Sequence, residues 1–358
     1  MKPIKNLELG IKNEERTLSG VEVGSGNLEV GIGEEKKNTP QSPLTRGEEG
    51  QTTDNRTKRI REYFQTEALS STKLADFYIA PDIVLMEREE KPYFDEGRAF
   101  EMMVEDRAKG TSLFKDNFFV AEIEGALPKE LPQWIADGTL DEQYVYTKSG
   151  DLSKTYATRH AWLDVCLANP NKKPLSVITY NQLKIMVDHL WKAEAKVLDH
   201  VTKNYITIKA GRLLENGSFQ VPYFWKADGH KKKALYDVIS FVEFGGSLQA
   251  IHIDLKKTAN LSQFKSMFRT KYWVQDRHYS EGISKLAEDK NIYTEPYMLF
   301  FVSSMEKPYL AQIFRMDDES AEYADDVYTS LCHEFTEWKQ KGMKPKGWIE
   351  QKNLKVFL

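Results

Sequence analysis

Cysteine is scarce in this chain. Only Cys166 and Cys332 occur in 358 residues, far apart and at no metal-ligand spacing. That excludes a disulfide scaffold and a cysteine-rich metal centre, and makes a reducing compartment the default. Long apolar runs are missing too. None approaches the roughly 18–20 residues that a membrane-spanning helix needs, and the N-terminus lacks the apolar core of a secretion signal. The expectation is a soluble, cytoplasmic protein with no membrane partner. Charge of one sign is not in excess, since 50 Lys+Arg stand against 54 Asp+Glu for a net −4. No global pull toward nucleic acid follows, so any such contact needs a local basic patch. Residues 1–56 contain no Phe, Trp or Tyr. Such a segment cannot bury enough apolar surface to offset its chain entropy. A flexible tail is expected there, followed by a single domain over 57–358.

The remainder has ample length to bury a core. Folding is expected from about Arg59. Ser70 or Ser71 caps a helix with Leu74 and Phe77 inward, and Pro81 stops it. Helices are expected over Gly97–Ala108 and Lys154–Ala168, and a long amphipathic one over Tyr180–His200. Four strand-like runs follow: Tyr205–Leu214, Phe219–Lys226, Ala234–Phe244 and Gln249–Lys256. Gly217, Gly229 and the Gly245-Gly246 pair punctuate them as turns. A helix over Leu261–Leu286, strands over Tyr297–Ser303 and Tyr309–Met316, and a helix over Ser320–Lys341 complete the chain. This order predicts an α/β protein of α+β type, with a central mixed sheet flanked by helices.

The chemistry concentrates between Leu235 and Tyr279. In Ile251-His252-Ile253-Asp254-Leu255-Lys256 the side chains alternate faces. The two isoleucines and Leu255 point one way; His252, Asp254 and Lys256 point the other. A carboxylate and an ammonium thus lie side by side. The carboxylate suits Mg²⁺ or Mn²⁺, and the lysine can orient water or stabilise charge on a phosphate. Taken alone, the same pattern describes an amphipathic edge strand with a surface ion pair. Asp237 sits in a run that is apolar on both faces, where it shares its face with Leu235, Ile239 and Phe241. A buried carboxylate needs a partner: a metal, or one of Lys231 to Lys233. The short Gly-Gly turn predicts a hairpin that brings Asp237 beside Asp254.

Phe264, Phe268, Tyr272, Gln275 and Tyr279 form one stripe of the following helix. Gln275 and Tyr279 are expected at the rim of the site, or else as part of a core-facing stripe. Lys265, Arg269, Lys271 and Arg277 on the helix, with Lys256 and Lys257, form a candidate track for DNA phosphates, or a solvated basic face.

An acid, then acid-x-lysine, then glutamine-x-x-x-tyrosine resembles the PD-(D/E)xK nuclease superfamily. Within it the chain looks like the phage recombination exonucleases of the RecE type, relatives of lambda exonuclease and of the RecB nuclease domain. Asp237 matches the strand acid, Asp254 and Lys256 the acid-x-lysine, and Gln275 and Tyr279 the closing element. Flanking stretches are similar as well: Leu69-Ser70-Ser71-Thr72-Lys73-Leu74 with Pro81, Phe94-Asp95-Glu96-Gly97 through Glu101, and Tyr328, Phe335 and Gly347-Trp348. Departures are Glu101 where the family usually has histidine, Leu235 and Tyr236 where an arginine is common, and Lys257 where threonine is usual.

The resemblance implies a restriction-endonuclease-like core, with Mg²⁺ or Mn²⁺ held by Asp237 and Asp254, joined or not by Glu101. It also implies 5′→3′ degradation of one strand of linear double-stranded DNA, a ring-shaped homo-oligomer, a RecT-like single-strand annealing partner, and a phage or prophage setting in a bacterial host. The alternatives are a catalytically silent DNA-binding or assembly module of the same fold, or a nuclease of other polarity or substrate. The missing four-cysteine cluster argues against an iron–sulfur-bearing branch.

Overall fold

The computed structural model describes residues 53–87, 92–123, 127–294 and 298–343. Residues 1–52 of the expected tail, and the Gly347-Trp348 pair, lie outside them. The chain begins with α1 (Thr53–Gln65), α2 (Ser71–Ile79), α3 (Pro92–Lys109) and α4 (Leu113–Asn117). Then come β1 (Phe118–Ala121), α5 (Leu131–Asp137), α6 (Glu142–Val145), α7 (Tyr156–Leu167) and β2 (Lys173–Ser176). Next are α8 (Val177–Lys192), β3 (Glu194–Leu198), β4 (Tyr205–Lys209), α9 (Ala210–Glu215), β5 (Gly217–Ala227), β6 (His230–Phe244) and β7 (Ser247–Thr258). The last are α10 (Leu261–Met267), a π-helical turn over Phe268–Tyr272, α11 (Trp273–Lys290), β8 (Tyr293–Thr294), β9 (Leu299–Ser304), β10 (Ala311–Phe314) and α12 (Asp318–Gln340).

The central sheet has the order β10-β9-β7-β6-β5, with β8 beside β7. β5, β6 and β7 form an antiparallel meander. β7 and β9 run parallel, joined by the α10–α11 crossover, and β10 returns antiparallel to β9. The sheet is therefore mixed and helices cover both faces, as the sequence predicts. The β6–β7 hairpin follows from its turn: Gly245 and Gly246 have φ of +54° and +81°. Two consecutive left-handed residues make the tight turn that matches strand twist, so Phe244 pairs directly with Ser247.

Alternation along β7 divides the interior. Ile251, Ile253 and Leu255 join Phe100 of α3, Leu183 of α8 and Leu213 of α9 in one core. Ala250 faces the other core, with Ile239, Phe241, Phe264 of α10 and Ile283 of α11. α2 and α12 pack on the outer side of α11 through Leu74, Val274 and Leu331. A satellite core around Trp134 and Trp162 holds α5 and α7 together. Gly282 sets how closely α11 can lie on the sheet. A Cβ there would stand 2.5 Å from the Tyr236 hydroxyl and 2.9 Å from the Trp225 ring, so a larger residue would push the helix away.

Several boundaries differ from expectation, and Gly217, expected in a turn, opens β5 opposite Ser240; three differences are informative. The helix expected to reach His200 ends at Lys192, and β3 follows. Ala195 and Val197 are buried while Glu194 and Lys196 are exposed. That is period-two alternation, and a helical stripe reading absorbs it because Val197 also falls in helical phase. The strand expected through Leu214 stops at Lys209; Leu213 and Leu214 are both buried, on the single turn of α9. Finally, α1 begins at Thr53 rather than near Arg59. It is anchored downstream, where Lys233 Nζ donates to the carbonyls of Tyr63 and Thr66 at 2.7 and 2.8 Å. An anchored helix propagates into polar residues that would not nucleate one.

Candidate active site

The site forms where two strands break together. The β5–β6 register runs from Gly217↔Ser240 to Ala227↔His230 but skips Gln220 and Asp237. Tyr236 and Val238 would share a face in a regular strand. Instead Tyr236 packs in the α11-side core and Val238 in the α3-side core. On β5, Val221 and Phe219 divide the same way across Gln220. The expectation that Asp237 keeps regular alternation with its neighbours is thus corrected: both strands change facing at this level. The β6–β7 register also ends here, at Val238↔Ile253.

The break leaves backbone donors for side chains to receive. The amide N–H of Leu255 donates to Asp237 Oδ2 at 2.9 Å, and Gln220 Nε2 approaches Asp237 Oδ1 at 3.5 Å. On β7, Asp254 is only 2% exposed. Gln275 Nε2 of α11 donates to its Oδ1 at 2.6 Å. Lys256 Nζ lies 2.5 Å from Oδ2 as an ion pair, but off hydrogen-bond alignment, so Oδ2 has charge beside it and no aligned donor. The lysine also sits over the Tyr272 ring, 5.4 Å from its centre. The π-helical turn at Phe268–Tyr272 shifts the helical phase just before Gln275; such bulges recur at functional sites.

Charge in this cluster is unbalanced. Burial, followed by the nearby Asp254 carboxylate, pushes Asp237 up to about 7. Burial, followed by the Asp237 charge, pushes Glu101 of α3 up to about 8, although Lys256 and Arg98 oppose the shift. Asp254 is raised by burial against the pull of Lys256. Desolvation works to lower Lys256, but Asp254 and Asp237 outweigh it and hold the ammonium above its usual range. Like charges in a dry place cannot all ionise without a counter-charge.

The structure brings Asp237, Asp254, Lys256 and Gln275 into one constellation, with Glu101 within electrostatic reach. Tyr279 sits one shell back. Its hydroxyl donates to the Leu235 carbonyl at 3.0 Å, and its own carbonyl receives the Tyr236 hydroxyl at 2.9 Å. It fixes the strand that carries Asp237 and does not touch the carboxylates, which corrects its expected place at the rim. The lysines just before Asp237 in sequence are engaged elsewhere: Lys231 lies over the Phe224 ring, Lys232 binds Asp228 and Glu281, and Lys233 binds the carbonyls of Tyr63 and Thr66.

The expected basic track is reduced. Arg277 is 3% exposed and held between Asp276 and Asp325, so it serves the interior rather than a phosphate. Lys257 points to the α3 side and pairs with Glu96. Arg269 is exposed, Lys265 half-buried, and Lys271 lies over the Tyr272 ring. Gln220 was not expected at the site. A left-handed glutamine inside a strand leaves no trace in hydrophobic patterning.

The donor set suits a hard divalent cation. It offers carboxylate oxygens without thiol or imidazole ligands, and Asp254 Oδ2 lacks an aligned donor. Among the described residues, no three His, Cys, Asp or Glu side chains are already gathered at ligating spacing. The set is thus an aspartate pair with Glu101 beside it.

No family model matches the chain, and no curated protein matches it. Among solved structures, a "putative exonuclease" from Eubacterium rectale is 13% identical over 79% of this chain and 85% of that chain, with a TM-score of 0.38. A likeness this distant carries no functional argument.

Proposed function

We propose that this protein is a metal-dependent deoxyribonuclease of the PD-(D/E)xK kind, hydrolysing phosphodiester bonds of DNA. The observation that carries the reading is the meeting of Asp237, Asp254, Lys256 and Gln275 at a shared break in β5 and β6. Asp237 and Asp254 would hold Mg²⁺ or Mn²⁺, with Glu101 near enough to join. Bound there, the cation supplies Lewis-acid activation of water and neutralises charge at the phosphate.

The protein's own groups do the rest. Lys256 stays protonated under ordinary conditions and presents a fixed positive charge to a phosphate oxygen. As an ammonium it donates and does not act as a base, so its role is to stabilise negative charge as it develops. Gln275 fixes the orientation of Asp254, and the Leu255 amide fixes that of Asp237. Burial removes competing water, so these charges act at low dielectric. Arg269, Lys265 and Lys271, on the helix that supplies Gln275, are the groups we assign to the DNA backbone.

The finer reading takes linear duplex ends as substrate, degraded 5′→3′ by a ring-shaped homo-oligomer that passes the exposed strand to a RecT-like annealing protein in the cytoplasm of a phage-bearing bacterium. Its support is the ordered motif match in the sequence. The test is incubation with Mg²⁺ and end-labelled linear duplex, beside a closed circle. Loss of label from the linear DNA only, abolished by EDTA and by Asp254→Asn, is the expected result. Intact linear DNA in the presence of folded protein and Mg²⁺ would sink the proposal.

A further inference from the structure

The geometry points to Gln220 as a positioning residue that holds the Asp237 carboxylate in its cation-binding orientation; this rests on the nuclease reading above. Four observations converge on it. Gln220 has φ of +49°, a left-handed conformation that strains a residue bearing a Cβ and favours glycine. Gln220 and Asp237 are the two positions skipped by an otherwise continuous β5–β6 register. Both strands change the core they face across this level, Phe219 against Val221 and Val238 against Tyr236. Last, the Gln220 amide is directed at Asp237 Oδ1, at 3.5 Å.

Strain of this kind persists where the surroundings over-determine it, commonly at functional sites. A break in a strand pair re-aims a side chain. If the break served only to bend β5, glycine would do the same without strain. A glutamine there keeps an amide, and the amide reaches the one oxygen of Asp237 that the Leu255 N–H does not hold. The two donors together leave the carboxylate little freedom to rotate. Outer partners that orient a ligand typically change metal affinity about 10- to 100-fold when removed.

The test measures Mn²⁺ affinity from the spin-resonance signal of free Mn²⁺, and thermal melting without Mn²⁺, for wild type, Gln220→Gly and Gln220→Ala. Cleavage of linear duplex is followed at low and at saturating Mn²⁺. Gln220→Gly should melt at or above the wild-type temperature, since glycine relieves the strain. It should nevertheless bind Mn²⁺ about tenfold more weakly and regain cleavage when Mn²⁺ saturates. Gln220→Ala should lose the same affinity but melt no higher than Gln220→Gly. Wild-type Mn²⁺ affinity in Gln220→Gly overturns the inference and leaves the nuclease reading standing. So does a Gln220→Gly protein that melts well below wild type, because the side chain would then be holding the strand and not the carboxylate. A wild type that neither binds Mn²⁺ nor cleaves DNA overturns the nuclease reading itself.

Discussion

Two clusters of buried charge lie against α11, and they differ in how completely their charges are matched. At the lower end of β6, Lys232 is wholly buried, and its ammonium meets Asp228 at 2.9 Å and Glu281 at 2.8 Å. The Tyr328 hydroxyl donates to Glu281 at 3.0 Å and lies 2.8 Å from His278 Nδ1. Every charged member has an aligned partner, so the cluster ties β6, α11 and α12 together. At the other cluster, Asp237, Asp254 and Glu101 share one lysine, and Asp254 Oδ2 has no aligned donor. Matched buried charge holds a fold in one arrangement. Unmatched buried charge costs stability and persists where a ligand or reaction uses it.

The sharpest way to break this contrast is to neutralise one member of each cluster. Asp254→Asn should reduce metal-dependent DNA cleavage about a thousandfold or more, on the order of 4 kcal/mol in the barrier. Its melting temperature should fall less than that of a variant that strands a matched charge, because one repelling carboxylate is gone and Asp237 remains beside Lys256. Lys232→Met should behave in the opposite way. Removing one partner of a buried pair costs about 3 kcal/mol or more, read by urea denaturation, with cleavage per folded molecule preserved. Equal stability losses in the two variants would remove the distinction.

Acidity gives a third way to separate the clusters. Asp237 and Glu101 stay protonated to about pH 7 and 8 in the folded chain, against about 4 for unfolded carboxyls. The folded state therefore binds more protons between those values, and stability falls as pH rises through the window. In EDTA the wild type should be less stable at pH 8 than at pH 5.5 or so, and Asp237→Asn should flatten that slope. His278 runs the other way. Burial depresses it to about 3, so its contribution is present above the unfolded value of about 6.5 and is lost as pH falls toward the folded one. His278→Gln should weaken the acid-side loss and leave the alkaline slope alone.

The smallest expected effect concerns DNA contact. Arg269→Ala should lower the salt dependence of DNA binding by about one unit of slope, while Lys257→Ala leaves it unchanged, since Lys257 is engaged with Glu96. Titrations at several salt concentrations, in Ca²⁺ to prevent cleavage, would check both. An equal change in the two variants would restore the wider basic track.

Much of the site was legible because it rests on short-range rules. The Gly-Gly pair dictates a tight hairpin, and alternation in β7 orients Asp254 and Lys256. Together they bring Asp237 opposite Asp254. Gln275 was legible from the glutamine-x-x-x-tyrosine spacing rather than from helical phase, which the π-helical turn at Phe268–Tyr272 shifts. Arg277 was misread because phase alone does not say which helix covers the far side of α11; the packing of α12 brings Asp325 to it. Tyr279 was placed too near the carboxylates for a similar reason: the close seat of α11 at Gly282 directs its hydroxyl to backbone.

The sequence by itself determined the hairpin, the mixed sheet flanked by helices and the residue types of the cluster, because turn chemistry and hydrophobic period act over a few residues. Tertiary structure decided the paired break at Gln220 and Asp237, the burial of Arg277 and the reach of Glu101 from α3. Each depends on which segments, distant in sequence, share one desolvated place. Burial is also what turns ordinary carboxylates and a lysine into a strongly coupled group.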